Sequence, residues 1–243
     1  MTCLLYGIVF SQSGDYACGH SLPLLPAGVG GAAVKFIKEG GLGAAVSWID
    51  SSELTPNIAR VLSYGKVVEA LHADRAVIPM RYGCLFREQS EVVELLRVHS
   101  RQYAAILCGL DGCVEIGVRV LLPAEPSGRY PDSVTTKVTG RSYLSARAAC
   151  YAKEEQEVRA LAATTERLRG TLVGLAERTE TDRCIRAGRG LCSLYFLVRR
   201  EQLESFRQAF RWIERAESAR LLLSGPWPPY NFVAPNRHWD EHG

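Results

Sequence analysis

The chain has 243 residues, 47% of them hydrophobic and 23% charged, with a formal net charge of +3. These values fit a globular protein of one large or two modest domains, and so small a charge argues against nucleic acid as a partner. No apolar run reaches the length of about 18 residues that crossing a lipid membrane requires. The chain begins without an export signal and its eight cysteines show no paired short spacing, which predicts a cytoplasmic protein with reduced thiols.

The first half of the chain is predicted to contain three strands and two helices. Short apolar segments rich in β-forming residues predict strands at residues 3–10, 42–49 and 76–86. Thr55 and Pro56 are the residue types preferred at a helix start, and Ser90 is predicted to begin a second helix that ends near Leu107. The buried face of the first helix is expected to carry Ile58, Val61, Leu62, Val68 and Leu71.

The second half is predicted to contain three strands and two helices, one of them long. Alternation of apolar and polar residues over 114–122 predicts a half-buried strand with Glu115 on its exposed side. The longest helical pattern runs from Ser142 to about Arg178, and such a helix extends beyond a small sheet and suits coiled-coil pairing with another helix. Two strands and the second helix are predicted at residues 191–198, 219–224 and 201–216.

These elements together predict an α+β protein of two domains. Residues 1–110 are expected to form an N-terminal α/β domain with a smaller, mixed sheet. Residues 111–224 are expected to form a modified ferredoxin-like domain, in which a three-stranded antiparallel sheet packs against two helices. Residues 225–243 are called the strap here, and we expect the strap to return to the N-terminal domain.

The strap has the most unusual composition in the chain. The stretch LLLSGPWPPYNFV, residues 221–233, begins as an apolar strand and breaks at Gly225 and Pro226. Adjacent prolines fix φ and remove two backbone donors, so the segment after the break is expected to be stiff and extended. Residues 230–233 are predicted to form a strand that pairs with the N-terminal sheet, although a packed C-terminal turn without a partner role remains an alternative. The candidate structural or partner-contact residues in the strap are Trp227, Pro228, Pro229, Tyr230 and Phe232.

Few residues suggest chemistry, and each has a simpler explanation. Arg81 lies within the apolar segment 76–86, and a structural ion pair is favoured over a ligand contact. His238 and His242 have a metal-binding spacing but fit a solvated tail, and the pair Cys18 and His20 lacks a third group that would orient a base. Asp50 with Glu53 is explained equally well by helix capping. Glycines at 28–31 and 40–43 lack the other parts of a phosphate-binding loop and are interpreted as turns. We therefore predict no catalytic residue, no metal ligand and no cofactor.

Four segments resemble the GvpF/GvpL family of gas vesicle proteins, and together they extend over residues 4–233. They are the opening LLYGIVF, the segment VIPMRYGCLF, the sequence GRSYLSARAA at the start of the long helix, and the ending LLLSGPWPPYNFV. The short N-terminal strand favours the F-type. The resemblance implies a minor accessory protein of the gas vesicle, without enzymatic activity. It also implies that the chain binds the very hydrophobic shell protein GvpA and other accessory proteins. The implied role is to assist nucleation, assembly or organisation of the shell, one route being to prevent GvpA from aggregating.

Two surfaces of the chain are candidates for binding the shell protein, and one different function is the alternative. A protein that shelters an aggregation-prone subunit needs an exposed apolar or aromatic patch on a folded body, and the long helix and the strap are the expected sources. The alternative is a small-molecule sensor or enzyme on a ferredoxin-like scaffold, which would need a deep pocket with converging polar groups, for example around Arg81.

Overall fold

The computed structural model describes residues 1–11, 25–50, 55–121, 140–186 and 189–233. Contacts divide the chain into two compact units, each with one β-sheet. The first unit comprises Met1–Glu115 together with Pro226–Gly243, so the strap belongs to the same unit as the N-terminal half. The second unit comprises Ile116–Gly225.

The first unit contains a five-stranded sheet in which the N-terminal strand is central. Its strands are β1 (Thr2–Phe10), β2 (Lys35–Glu39), β3 (Leu42–Ile49), β4 (Ile78–Pro79) and β5 (Leu85–Phe86). The order is β2-β3-β1-β4, and β5 also pairs with β1. All of these pairings are antiparallel. The prediction of a smaller sheet with mixed strand directions is therefore wrong. The sheet is larger than predicted because it includes β2 and because residues 76–86 form two short strands separated by a turn.

Three helices accompany this sheet: α1 (Ile58–Asp74), α2 (Gln89–Val98) and α3 (Ser100–Leu110). The predicted cap at Thr55 is wrong, since Asn57 precedes α1 and its side chain accepts the backbone N–H of Arg60 at 2.9 Å. The predicted cap at Ser90 is also wrong. Glu88 occupies that position and forms a capping box with Glu91, and the single helix expected there is divided into α2 and α3 at His99.

Helix α1 buries Val68 and Leu71 as predicted, but the rest of its predicted buried face is wrong. Its buried residues include Tyr64, Val67, Val68 and Leu71, which pack in one cluster with residues of β1 and β3. Ile58, Val61 and Leu62 are exposed instead. At 100° per residue Ile58 and Leu62 lie beside the buried face, whereas Val61 falls within its arc. These three residues form an exposed apolar strip at the N-terminal end of α1.

The second unit contains a four-stranded sheet and two long helices. Its elements are α4 (Gly140–Leu172), β7 (Arg178–Arg186), β8 (Arg189–Arg199), α5 (Leu203–Ala216) and the greater part of β6 (Cys113–Leu121) and of β9 (Arg220–Trp227). The first residues of β6, including Glu115, and the last two of β9 belong to the first unit. The sheet order is β7-β8-β6-β9, so the prediction of three strands is wrong. The missed strand β7 begins where the long helix was expected to end, and it pairs with β8 over its whole length. The expected break at Gly225 and Pro226 is also wrong, because β9 continues through both, with Gly225 at a φ of 109°.

The helices of the second unit pack on β8 and on each other. Helix α5 buries Phe206, Phe210 and Ile213, and the Phe206 ring meets the Phe196 ring of β8 edge-on at 5.2 Å. The C-terminal half of α4 buries Leu161, Leu168 and Leu172. The guanidinium group of Arg167 donates two hydrogen bonds of 2.7 and 2.8 Å to the Glu217 carboxylate just after α5, and these bonds lower the pKa of Glu217.

Candidate interaction site

After β9 ends at Trp227, the described part of the strap forms a compact turn. Tyr230–Phe232 form one turn of 3-10 helix, so the predicted strand at residues 230–233 is wrong. The cause is local hydrogen bonding. The N–H of Tyr230 donates to the Pro228 carbonyl at 2.8 Å across an inverse γ-turn at Pro229, whose φ and ψ are −80° and 62°, and the N–H of Phe232 donates to the Pro229 carbonyl at 3.2 Å. These two donors are therefore satisfied within the strap and need no ladder.

A buried carboxylate holds the strap in the first unit. The Asn231 backbone N–H donates to Oε2 of Glu115 at 2.8 Å, and the Asn231 side-chain amide donates to Oε1 at 2.6 Å. Glu115 is almost fully buried, so the expectation that it faces solvent is wrong. The sequence pattern shows only an outward position on β6, because the group that covers it comes from 116 residues further along the chain.

The environment of Glu115 shifts the pKa of its carboxyl group upward. Burial removes the charged form from water, which is the largest effect, and the two hydrogen bonds from Asn231 oppose it. Burial likewise raises the pKa of Tyr230 to about 12, with smaller contributions from the charges of Glu69 and Glu115. Burial thus favours the uncharged forms of both Glu115 and Tyr230, where the strap packs on the first unit.

We expect the stability of the first unit to depend on pH through Glu115. The pKa is higher in the folded unit than in the unfolded chain, so this stabilisation is complete at low pH and is lost as pH rises through the raised pKa. Glu115→Gln cannot ionise, so its free energy of unfolding should lack this decline when urea titrations are run between about pH 4 and pH 8. Asn231→Ala should make the decline larger, because it removes the side-chain hydrogen bond that favours the charged form and leaves only the bond from the backbone N–H. Identical slopes in the wild type and Glu115→Gln would contradict the assignment.

The rest of the strap combines one buried anchor with two exposed aromatic side chains. Phe232 is 2% exposed and is among the largest fully buried side chains of the described residues. Pro228 and Pro229 are also buried. Trp227 and Tyr230 remain exposed. The strap can therefore be fixed in place by its prolines and Phe232 while it presents aromatic surface to another molecule.

A pair of stacked tyrosines lies in the core of this unit. The rings of Tyr6 and Tyr64 stack with centroids 4.8 Å apart, and the Tyr82 ring meets Tyr64 edge-on at 5.4 Å. The Tyr64 hydroxyl lies 2.9 Å from the carbonyl oxygens of Leu5 and Met80, so it bridges β1 and the turn after β4. Burial is the main reason that the pKa of Tyr64 is raised, and the charge of Tyr230 adds to it. The sequence analysis did not single out either core tyrosine.

The predicted candidate residues do not converge on one chemical site. The Arg81 side chain is exposed in the turn after β4, and its carbonyl oxygen lies 3.2 Å from the Tyr64 hydroxyl. Asp50 is exposed after β3. Cys18, His20, Glu53, His238 and His242 lie outside the described residues.

The glycine segments form turns rather than phosphate loops. Gly40 and Gly41, with φ values of 57° and 82°, connect β2 to β3 as a tight hairpin. Gly28 precedes a short 3-10 turn, Val29–Gly31, against Tyr6. Among the residues that the structure describes, no cluster of three or more His, Cys, Asp or Glu side chains is placed to hold a metal ion. Over the same residues, no helix combines the length and hydropathy needed to span a membrane.

These observations define an α+β protein of two units. Its candidate site is an interaction surface made of packing contacts and exposed apolar side chains. The family model described as "Gas vesicle synthesis protein GvpL/GvpF" matches residues 2–234, and the chain belongs to this family. The family gives the chain a role in gas vesicle formation. It is a family of structural and accessory gas vesicle proteins and not a known enzyme family.

Individual relatives and solved structures agree with this assignment. Gas vesicle protein F2 of Halobacterium salinarum is 29% identical over 88% of this chain and 87% of its own length. Gas vesicle protein F of a Streptomyces species is 28% identical over 96% and 100%, and gas vesicle protein L of the same species is 27% identical over 85% and 85%. The crystal structure of GvpF from Anabaena sp. PCC7120 shares the fold with a TM-score of 0.75 at 18% identity, covering 96% of this chain and 98% of that one. Since both F-type and L-type relatives match, the F-type assignment stays a prediction.

Proposed function

We propose that this protein is an accessory component of the gas vesicle that binds the shell protein GvpA and assists nucleation, assembly or organisation of the shell. Membership in the GvpL/GvpF family supports a role in gas vesicle formation. The observation that carries the proposal is the uncovered strip on α1, where Ile58, Val61 and Leu62 are 81%, 45% and 60% exposed. Large aliphatic side chains at spacings of three and four residues form one continuous patch on a helix.

Such a patch suits a partner that is itself apolar. Aliphatic anchors on one helical face are the usual way in which a helix docks with an apolar surface. A shell subunit exposes apolar surface before it is assembled, and covering that surface reduces aggregation. The exposed aromatic side chains of the strap, Trp227 and Tyr230, are proposed as a second contact region. Localisation at the gas vesicle follows from this role.

We expect a paired substitution on α1 to weaken binding of the shell protein. Ile58→Glu with Leu62→Glu places two charges on the strip and leaves the buried face of α1 intact. Co-precipitation with purified GvpA, and co-sedimentation with isolated vesicles, should fall at least roughly tenfold, which corresponds to ~1.4 kcal/mol. Val98→Glu is the matched control, because Val98 is an exposed aliphatic residue of the same unit on α2. Binding that survives the pair, or that is lost equally with the control, would count against this surface.

The architecture of the second unit supports a finer structural proposal. Its elements follow the order β6, α4, β7, β8, α5 and β9, and its sheet order is β7-β8-β6-β9. We propose that this is a ferredoxin-like arrangement, whose pattern is strand, helix, two strands, helix and strand.

A further inference from the structure

The strand β2 lies at one end of the first sheet, and among the described strands only β3 pairs with it. Both of its faces are covered within the first unit. Phe36 packs on one face against the cluster that contains Tyr64, and Ile37, which alternation places on the other face, is only 4% exposed. The part of β2 that the described residues leave unpaired is therefore its outer edge.

The hairpin between β2 and β3 decides which backbone groups this edge presents. The turn at residues 40–41 has two residues, so Glu39 forms the closing hydrogen-bonded pair with β3. Hydrogen-bonded positions alternate along an antiparallel ladder, so every second residue before Glu39 also directs its backbone groups toward β3. The N–H and C=O groups of Phe36 and Lys38, which lie between these positions, point away from the sheet. Outward groups of this kind bind another extended strand.

The charges along β2 indicate which strand that is. The strand reads KFIKE, with Lys35 exposed at one end and Glu39 partly exposed at the other. Two such strands can lie antiparallel with Ile37 opposite Ile37. Lys35 of each copy is then directly opposite Glu39 of the other, so opposite charges meet twice. In the same register Phe36 lies opposite Lys38, so the outward backbone groups of the two copies meet and form hydrogen bonds.

Other registers of the same pair are less favourable. A shift by one residue places outward groups of one strand opposite inward groups of the other, so the hydrogen bonds are lost. A shift by two residues in one direction places Lys38 opposite Lys38, and a shift by two in the other direction separates Lys35 from Glu39. Lysine at a sheet edge discourages indiscriminate pairing, and in β2 the charges match only one register.

We propose that the outer edge of β2 binds the same edge of a second copy of this chain. The two strands lie antiparallel about a two-fold axis at Ile37, and the five-stranded sheets of the two copies form one continuous sheet. The contact is isologous, so it closes on itself and stops at a dimer. Because the paired segment is short, the dimer is weak and reversible.

Sedimentation velocity from low to high micromolar concentration tests the dimer directly. The wild type should form a dimer that dissociates on dilution. Lys38→Pro removes an outward N–H and no hydrogen bond to β3, and proline is tolerated at such an edge position. This variant should weaken dimerisation at least roughly tenfold, while its circular dichroism and its urea midpoint stay close to those of the wild type.

Exchange of the charges tests the register. Lys35→Glu and Glu39→Lys each oppose like charges twice and should each weaken the dimer about tenfold. The double variant should recover the dimer, because the opposite charges are restored with their positions exchanged. Arg101→Glu is the control for net charge, since Arg101 is exposed on α3, which packs on β1 and β4 away from β2. It should leave the dimer unchanged.

The dimer and the binding of the shell protein can be separated, because α1 carries no part of this edge. Lys38→Pro should leave co-precipitation of GvpA unchanged, and Leu62→Glu should leave the dimer unchanged. A wild type that is monomeric throughout, a dimer insensitive to Lys38→Pro, or a double charge variant as weak as the single ones would overturn the proposal. A monomeric chain whose binding of GvpA is weakened by Lys38→Pro would also overturn it, since the edge would then bind a strand of the shell protein.

Discussion

Replacing Phe232 by alanine should destabilise the first unit by about 3–5 kcal/mol, the range found when a buried phenylalanine is truncated. Phe232 is 2% exposed, so its removal leaves a cavity and also weakens the packing of the strap on the unit. The strap then keeps its buried prolines and the hydrogen bonds between Asn231 and Glu115. The expected result is a large fall in the free energy of unfolding in urea titrations, together with faster amide exchange in β1 and α1.

Trp227→Ala is the matched control for this substitution. Trp227 is an aromatic residue of the same strap, but it is exposed, so the change in stability should stay within about 1 kcal/mol. Amide exchange in the second unit should be unchanged in both variants. A Phe232→Ala protein as stable as Trp227→Ala would mean that the strap is not anchored by this ring.

Replacing Gly28 by alanine should cost roughly 2–4 kcal/mol, because a Cβ atom there would overlap the buried Tyr6 hydroxyl. A backbone shift that moves the Cβ away from Tyr6 is also restricted, since the same Cβ would lie 3.2 Å from the Ala32 carbonyl oxygen. Tyr6 cannot shift freely either, because its hydroxyl is 2.8 Å from the Ser47 hydroxyl and accepts the Val29 N–H at 3.0 Å. Unfolding free energies measured by urea titration, and the near-ultraviolet circular dichroism of the tyrosines, should both change.

Two further variants make the Gly28 prediction specific. Gly109→Ala in helix α3 meets nothing within 4 Å and should be neutral or stabilising by about 0.5–1 kcal/mol, the usual gain from alanine in a helix. Tyr6→Phe removes the hydroxyl that the new Cβ would overlap. The double variant Gly28→Ala with Tyr6→Phe should therefore lose less stability than the sum of the two single changes. Strict additivity would show that the overlap with the hydroxyl is not the cause.

The central elements of the fold were predictable because each has a strong apolar pattern within its own segment of sequence. The strands β1 and β3, the core of β8 and the stripe of α5 are each marked by a dense run or a regular period of apolar residues. The hairpin that joins β2 to β3 also had a local signal, since two glycines in succession favour a tight turn, but the short strand Lys35–Glu39 before it was missed. The strand β7 has few apolar residues and lies at an edge, where only its pairing with β8 defines it.

The candidate site was predictable in composition but not in geometry. The prolines and aromatic residues of the strap identify it as stiff, and the family resemblance rests in part on the same residues. Their backbone hydrogen bonds are closed locally by an inverse γ-turn, which is a small difference in φ and ψ that the pattern of residue types does not show. For α1, apolar periodicity marks the positions that suit burial, but it does not show which of them the rest of the chain covers.

The sequence by itself determined the class of fold, the positions of the main strands and helices and membership in the GvpL/GvpF family, because these depend on local patterns and on shared motifs. Only the tertiary structure showed that Glu115 is buried under Asn231, that Tyr64 joins β1 to the turn after β4, and that Ile58, Val61 and Leu62 are left uncovered. Contacts between residues distant in the chain decide which side chains lose water, and burial of this kind sets both the pKa of a carboxyl group and the exposure of an apolar surface.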